Sequence, residues 1–175
     1  MARFHERLLG AALLRTEIYE EVEADRNATF QAMAVVTLAA VAAGIGSIDN
    51  SGAAGILKVT AAWLVGWYIW AYAAYFIGTR FLADSETVAD HGELLRTIGF
   101  SCAPGLLQVL GLIPPIAGFA FAACGLWMLV AMVIAVRQAL DYTSTARAIA
   151  VCVIGFPIHV LTLAVTFLLL GPWPV

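Results

Sequence analysis

"ARAIAVCVIGFPIHVLTLAVTFLLL", residues 146–170, contains one charged residue, Arg147. A helix needs about 20 predominantly apolar residues to cross the hydrocarbon core of a bilayer, and this stretch is long enough. Similar apolar runs recur along the chain, whose 175 residues are 62% hydrophobic and only 12% charged. Ordinary soluble domains carry about 25% charged residues. The sequence therefore predicts an integral membrane protein.

Four more apolar segments precede this stretch. Lipid offers the backbone no hydrogen-bond partners, so we expect every segment to be an α-helix. The predicted spans cover about residues 28–47, 53–79, 94–112, 116–139 and 146–170. Together they form one transmembrane domain, residues 28–170, and residues 171–175 are a short tail on the outer side.

The N-terminal region, residues 1–27, has the pattern of an amphipathic helix. Apolar side chains recur at helical spacing between Phe4 and Val22 and gather on one broad face. Arg7 and Arg15 flank or interrupt that face, where long side chains can reach lipid phosphates. We expect an interfacial helix that lies on the bilayer or on the protein's own helices. The predicted fold class is thus an all-α integral membrane protein with five transmembrane helices and an N-terminal amphipathic interfacial helix.

The basic residues indicate the orientation of the spans. Cytoplasmic connections of membrane proteins carry an excess of Lys and Arg. Lys58 is the one basic residue assigned to the opposite side, where Asp49 is the one acid. The remaining basic residues lie before the first span or flank the second and fourth connections: Arg3, Arg7, Arg15, Arg26, Arg80, Arg96, Arg137 and Arg147. We therefore expect a multi-pass protein of the inner (plasma) membrane, with a cytoplasmic N-terminus and an outer C-terminus.

Two spans contain a proline near their midpoint. Pro157 in the fifth span removes a backbone N–H, and His159 follows two residues later. Pro104 in the third span should free the carbonyl group of Phe100, and Gln108 follows one turn on. Ionisable residues inside a membrane often mark sites for protons, ions or substrates. The alternative is structural: the His159 ring bonds to a carbonyl group or to Gln108 across a helix interface.

The predicted cytoplasmic connections hold most of the remaining charge. Arg137, Asp141 and Arg147 surround the fourth connection and are candidates for contacts with a partner. The second connection, residues 84–93, combines carboxylates with His91, but its spacing fits no metal motif, and acids before a helix also complement the helix dipole. We predict no metal site and no cofactor.

Enzymatic and nucleic-acid-binding functions find no support in the sequence. It contains no glycine-rich phosphate loop, no HExxH motif and no nucleophile elbow. The net charge of −3 gives no basic surface for a nucleic acid. We therefore expect a protein that is not an enzyme.

Several motifs resemble the Yip (Ypt-interacting protein) family, and its bacterial members in particular. They are a proline in the third of five closely spaced spans, "VRQAL" (residues 136–140) at the end of the fourth, "RAI" (residues 147–149) before the fifth, and "EVEADRNATFQA" (residues 21–32) at the entry. The similarity is strongest over residues 99–155. It implies the five-span fold and a non-enzymatic membrane role. A "DLYGP" segment associated with the eukaryotic members, which bind prenylated Rab-type GTPases, is absent.

Three functions are compatible with the sequence. The first is a Yip-like protein that organises the membrane or recruits partners at its cytoplasmic face. Its partners would be the lipid bilayer, other proteins, or further copies bound through the transmembrane domain. The second is a small transporter or channel with a midplane site around His159. The third is an accessory subunit of a larger complex that docks through aromatic ridges of the second span.

Overall fold

The structure is a computed structural model that describes residues 2–47, 52–85 and 87–170. Over these ranges the chain is helical and has no β-strand, which confirms the predicted all-α class. The predicted tail, residues 171–175, and Asp49 lie outside the described residues. The α-helices are α1 (Phe4–Ala12), α2 (Thr16–Ala24), α3 (Ala28–Gly46), α4 (Gly52–Arg80), α5 (His91–Ser101), α6 (Ala117–Ala139) and α7 (Thr145–Leu170).

Five stretches of the described chain are long and apolar enough to cross a membrane. Four of them coincide with α3, α4, α6 and α7, and the fifth joins α5 to a 3₁₀ helix, Ala103–Leu112. A 3₁₀ helix rises about 2.0 Å per residue, whereas an α-helix rises about 1.5 Å. The 10 residues of the 3₁₀ helix therefore extend over roughly 20 Å instead of roughly 15 Å. A short segment can cover more of the membrane thickness in this form.

The N-terminal region forms two helices, whereas the sequence predicted one. Leu14 adopts a left-handed conformation with φ of 60° between α1 and α2. Its N–H donates to the carbonyl oxygen of Ala11 at 3.0 Å, and the N–H of Arg15 donates to that of Gly10 at 3.0 Å. These two bonds form a Schellman motif, which ends α1 and turns the chain back. The motif escapes prediction because leucine occupies the position where glycine is usual.

The two helices form a hairpin, here called the N-terminal hairpin (residues 4–24), that packs on the protein's own helices. α2 contacts α5 and α6, and α1 contacts α5 and the 3₁₀ helix. The Tyr19 hydroxyl donates to the carbonyl oxygen of Ala11 at 3.1 Å and joins the two helices. The apolar face is buried in a cluster that includes Ala11, Tyr19, Val22, Ala28, Ala32, Val35, Phe100, Ala103 and Ala135. Leu9 and Leu13 lie off this face and are each 60% exposed.

Small residues allow α3 and the 3₁₀ helix to pack backbone against backbone. A Cβ atom added to Gly46 would overlap the carbonyl oxygen of Gln108. A Cβ atom added to Gly111 would lie 2.5 Å from the carbonyl oxygen of Gly46. α3 also buries a series of alanines on the same side of the bundle. Small side chains of this kind let membrane helices approach closely and gain van der Waals contact.

One end of the bundle, here called the charged end, comprises the N-terminal hairpin and the connections 81–90 and 140–144. Asp141, with φ of 51°, forms a second Schellman motif at the end of α6. The Tyr142 hydroxyl then donates to the carbonyl oxygen of Gly78 on α4 at 2.9 Å. At the start of α5, Asp90 and Glu93 form a capping box. Local bonds therefore hold both connections in defined positions.

Candidate functional site

The structure separates the four candidate residues of the membrane midplane. Gln108 belongs to the 3₁₀ helix, which packs on α3, α5 and α6, whereas α7 packs mainly on α4 and α6. Gln108 is buried beside α3, and its Oε1 atom has no hydrogen-bond partner among the described residues. His159 lines a cavity on the α4 side of α7, and neither Gln108, Pro104 nor Pro157 lines that cavity. The predicted bond between His159 and Gln108 is therefore not formed.

The two prolines affect their helices differently. α7 continues as an α-helix through Pro157. At Pro104 the α-helix has already ended, and the chain changes to the 3₁₀ helix with the proline in its first turn. Backbone N–H groups at the end of α5 donate to the carbonyl oxygens of Gly99 and Phe100. The carbonyl group of Phe100 is consequently not free, contrary to the prediction from the sequence.

His159 lies among aromatic and apolar side chains. Its ring meets Trp70 edge to face, with 5.7 Å between the ring centroids. The Nδ1 atom of His159 is buried and has no hydrogen-bond partner in the described part of the chain. The indole of Trp70 instead donates to the sulfur of Met132 at 3.1 Å. The imidazole therefore retains an unsatisfied polar atom in an apolar environment.

The three candidates in the connection between α6 and α7 have different roles in the fold. Arg137 donates to the carbonyl oxygen of Tyr142 at 3.2 Å and to the Thr145 hydroxyl at 3.1 Å, and so braces the turn. Arg147 forms a salt bridge of 2.7 Å with Asp84 and joins the two connections of the charged end. Asp141 is exposed at the turn itself. Of the three, Asp141 is the most accessible to a partner.

The acidic connection before α5 uses its polar groups within the fold. Asp84 faces Arg147, and Asp90 and Glu93 cap α5. The His91 ring packs edge to face on Tyr68 and Tyr72, with centroid distances of 5.2 and 5.6 Å. Across residues 2–47, 52–85 and 87–170, no group of three or more potential metal ligands comes together. Glu86 lies outside the described residues.

Arg7 forms a buried ion-pair network that the sequence did not predict. Its side chain is only 1% exposed, whereas the amphipathic pattern predicted that it would reach lipid phosphates. The guanidinium group binds Glu21 and Asp25, each at 2.8 Å, and donates to Gln31 at 3.0 Å. These hydrogen bonds lower the pKa of the Glu21 and Asp25 carboxyl groups below their usual range. Arg7 thus connects α1 to α2 and to α3.

Arg96 attaches the N-terminal hairpin to the bundle. Its side chain is buried and donates to the carbonyl oxygens of Val22 and Glu23 at the end of α2. Cations interact favourably with the carbonyl groups that a helix leaves unpaired at its C-terminus. Nearby, burial and the carboxylates of Asp141, Glu93 and Glu20 raise the pKa of Glu23 to about 7, although Arg96 opposes this shift. Acidic groups from α2, α5 and the 140–144 connection are therefore neighbours.

The order of these elements agrees with a known family. The sequence matches the family model of the Yip1 domain over residues 15–167. The chain belongs to the Yip1 family. No match was found among curated proteins or among solved structures. The resemblance to the Yip family inferred from the sequence is confirmed, and the Yip1 domain covers α2 together with the five stretches long enough to span a membrane.

In this Yip1-family protein, α1 lies outside the matched residues but completes the charged end. The Arg7 network joins α1 to acids of α2 that do lie inside the match. Two features of the sequence could have indicated such contacts. Arg7 is a cation beside an apolar face and Arg96 falls inside an apolar segment, and a buried cation needs a charged or hydrogen-bonding partner.

Proposed function

We propose that this Yip1-family chain is a non-enzymatic protein of the inner (plasma) membrane whose charged end lies in the cytoplasm and recruits protein partners. The placement of basic residues supports this orientation, because they concentrate at the charged end. The fold supports the recruiting role, because the N-terminal hairpin is fixed to the bundle by Arg7 and Arg96. A fixed surface loses little conformational entropy when a partner binds.

The observation that carries the proposal is the acidic character of this surface. Carboxylates from three separate elements lie close together: burial is the main cause that raises the pKa of Glu23 to about 7, and Asp141, Glu93 and Glu20 add to the rise. Two of them, Glu20 and Asp141, are exposed. A partner with a basic segment has the complementary charge, which increases association rates and favours one orientation. Arg137 and Arg147, in contrast, already bond within the fold.

Affinity purification of the full-length protein in mild detergent tests the proposal. The double variant Glu20→Gln/Asp141→Asn removes two exposed charges and keeps their hydrogen-bonding groups. Asn is also among the few residues that adopt the left-handed conformation of position 141 readily. We expect a stoichiometric partner to co-purify with the wild-type protein and to be lost from the variant. Salt should weaken the interaction, because exposed charges are screened.

Lys58→Gln is the matched control, because Lys58 lies toward the opposite end of α4 from Arg80. This variant should retain the partner. The proposal is contradicted if the double variant keeps every partner of the wild-type protein while remaining monodisperse. It is also contradicted if the wild-type protein purifies from its native membrane without any partner.

The arrangement gives less support to the transport hypothesis. Gln108 and His159 face different neighbours, so the described residues do not assemble the predicted midplane site. The accessory-subunit hypothesis depends on the aromatic ridges of α4, of which two tryptophans bond within the fold: Trp67 donates to the carbonyl oxygen of Leu95 at 2.9 Å, and Trp70 donates to Met132. Tyr68 and Tyr72 stay exposed beside His91, where aromatic rings commonly anchor a span at the membrane interface.

A further inference from the structure

The bundle contains a cavity of about 310 Å³ between α4, α6 and α7 that the proposed function does not use. Trp63, Trp67 and Trp70 of α4 form one wall, and Met128 of α6 forms another. His159 of α7 lines it as well. Binding sites for small molecules in proteins have volumes of about 300–1,000 Å³, so this cavity has room for part of a ligand.

The cavity opens sideways between α6 and α7. Its lining residues toward the centre of the bundle, such as Trp70 and Ile98, are buried. Leu129 of α6 and Phe156 of α7 also line it but are 56% and 55% exposed. Both lie in segments long and apolar enough to cross a membrane. A molecule therefore reaches the cavity most directly from the hydrocarbon region of the bilayer.

The chemistry of the walls restricts the ligand. None of the described residues that line the cavity carries a formal charge, so an ionic headgroup would be buried without a counter-ion. Aromatic rings and thioethers offer good contact to an aliphatic chain. The His159 ring lines the cavity, and its Nδ1 atom has no partner in the described part of the chain, so a single oxygen atom on the ligand gives the imidazole a hydrogen-bond partner. Only a mostly aliphatic molecule with one uncharged polar group meets all three conditions.

We propose that this cavity binds a neutral long-chain lipid with a hydroxyl group, which enters between α6 and α7 and hydrogen-bonds to the imidazole of His159. His159 lies 14 residues after Thr145, which is at the charged end of α7. Since an α-helix rises about 1.5 Å per residue, about 21 Å of helix separate the two residues. Ester groups of phospholipids lie near the membrane surface, whereas an uncharged alcohol can reach this depth. The proposal is independent of partner recruitment at the charged end.

The test uses 9,10-dibromo-octadecanol, whose bromine atoms quench tryptophan fluorescence, added to the full-length protein in phosphatidylcholine nanodiscs. Three tryptophans line the cavity, so occupation should give saturable quenching at low mole fractions of the alcohol. Unlabelled hexadecanol should compete. His159→Leu should weaken apparent binding about tenfold, the effect expected when a buried hydrogen bond is lost. His159→Gln keeps a hydrogen-bonding group and should recover part of the affinity.

Two glycines of α6 provide a matched pair of variants. A Cβ atom added to Gly125, which lines the cavity, or to Gly118, which does not, has no neighbouring atom within 4 Å. Gly125→Leu should fill the cavity and abolish saturable quenching, and Gly118→Leu should bind like the wild-type protein. Gly66→Val fills the cavity from α4 and replaces Gly125→Leu if that variant does not fold.

Two results would overturn the proposal. The first is quenching that rises linearly and equally in wild type, Gly125→Leu and Gly118→Leu, which means that the alcohol only partitions into the bilayer. The second is equally saturable quenching by dibrominated phosphatidylcholine, which makes an ordinary phospholipid chain the occupant. Saturable quenching that hexadecanol reverses, phosphatidylcholine does not reproduce and Gly125→Leu removes would support it.

Discussion

Arg7 is the residue on which docking of the N-terminal hairpin depends most. Removing one partner of a buried ion pair leaves the other charge uncompensated, which costs about 3–5 kcal/mol. The Glu21 side chain is 29% exposed, so water partly compensates its charge and the cost should be near the lower end of this range. Arg7→Met should destabilise the docked hairpin by about 3 kcal/mol and raise hydrogen–deuterium exchange in α1 and α2 roughly a hundredfold. Arg7→Lys should give exchange rates between those of the wild-type protein and Arg7→Met, because an ammonium group is a single point charge and cannot pair with both carboxylates as the guanidinium group does.

Arg3→Met is the control for Arg7→Met. Arg3 also pairs with a glutamate, Glu6, at 3.3 Å, but its side chain is 78% exposed. Exposed ion pairs contribute about 0–1 kcal/mol, so exchange in the hairpin should change little. If both variants increased exchange equally, the stability of the hairpin would not depend on the buried network.

Glu23 should make the stability of the charged end depend on pH near neutrality. Its pKa in the fold, about 7, is above the ordinary value of 4.5, mainly because of burial and then because of Asp141 and Glu93. The unfolded state therefore ionises first as the pH rises, and stability should fall between about pH 4.5 and pH 7. Thermal unfolding between pH 5 and pH 8 measures this trend.

Glu23→Gln should remove most of that pH dependence, because it removes the titrating group. Glu21 and Asp25 should affect the pH dependence of stability in the opposite direction. Arg7 lowers their pKa values, so their contribution is complete above the ordinary carboxyl range and is lost only as the pH falls below it. A wild-type melting temperature that rose steadily from pH 5 to pH 8 would contradict the assignment to Glu23.

At the level of elements, the sequence predicted helices well wherever composition decides them. A run of apolar residues in lipid has to satisfy its own backbone, and helix formation follows directly. The structure departs from the predicted helices in two places. Leu14 takes a left-handed conformation that costs about 1–2 kcal/mol for a residue other than glycine, and the docked hairpin compensates for it. The 3₁₀ form after Ser101 depends on how this segment packs on α3, which hydropathy does not encode.

The contact between α3 and the 3₁₀ helix gives a prediction at this scale. Gly46→Ala should destabilise the bundle by about 1–3 kcal/mol, because the new methyl group overlaps a backbone carbonyl group that no rotamer change can move. Gly118→Ala adds the same methyl group where it meets no neighbour, and alanine is the better helix former by about 0.5–1 kcal/mol. The two variants should therefore change stability in opposite directions.

Unfolding in mixed micelles of dodecyl maltoside and sodium dodecyl sulfate measures both glycine variants under the same conditions. A neutral Gly46→Ala variant would mean that α3 and the 3₁₀ helix are further apart than the structure places them. Gly118→Ala also shows whether a loss of stability in Gly46→Ala comes from replacing glycine by alanine in general or from the position of Gly46.

At the scale of the whole molecule, the candidate sites were harder to predict than the fold because they depend on which helices are neighbours. The sequence grouped Gln108 with His159 because both follow a proline near a midpoint, yet the 3₁₀ helix packs mainly on α3, whereas α7 packs mainly on α4. Arg137 and Arg147 were candidates for partner contacts because they are charged and close together in sequence. Arg137 instead bonds to Tyr142 within the turn that ends α6, and the bond of Arg147 to Asp84 depends on the packing that brings the two connections together.

The orientation of the whole molecule is the last prediction, and labelling of single cysteines tests it. Cys102, Cys124 and Cys152 are first replaced by alanine, since all three are free thiols. Ser85→Cys then places an exposed thiol at the charged end, and Ile113→Cys places one at the opposite end. A membrane-impermeant maleimide should label Ile113→Cys in intact spheroplasts and Ser85→Cys only after permeabilisation, because the basic connections stay in the cytoplasm. The reverse pattern would put the acidic surface and the N-terminal hairpin outside the cell, where no cytoplasmic partner could reach them.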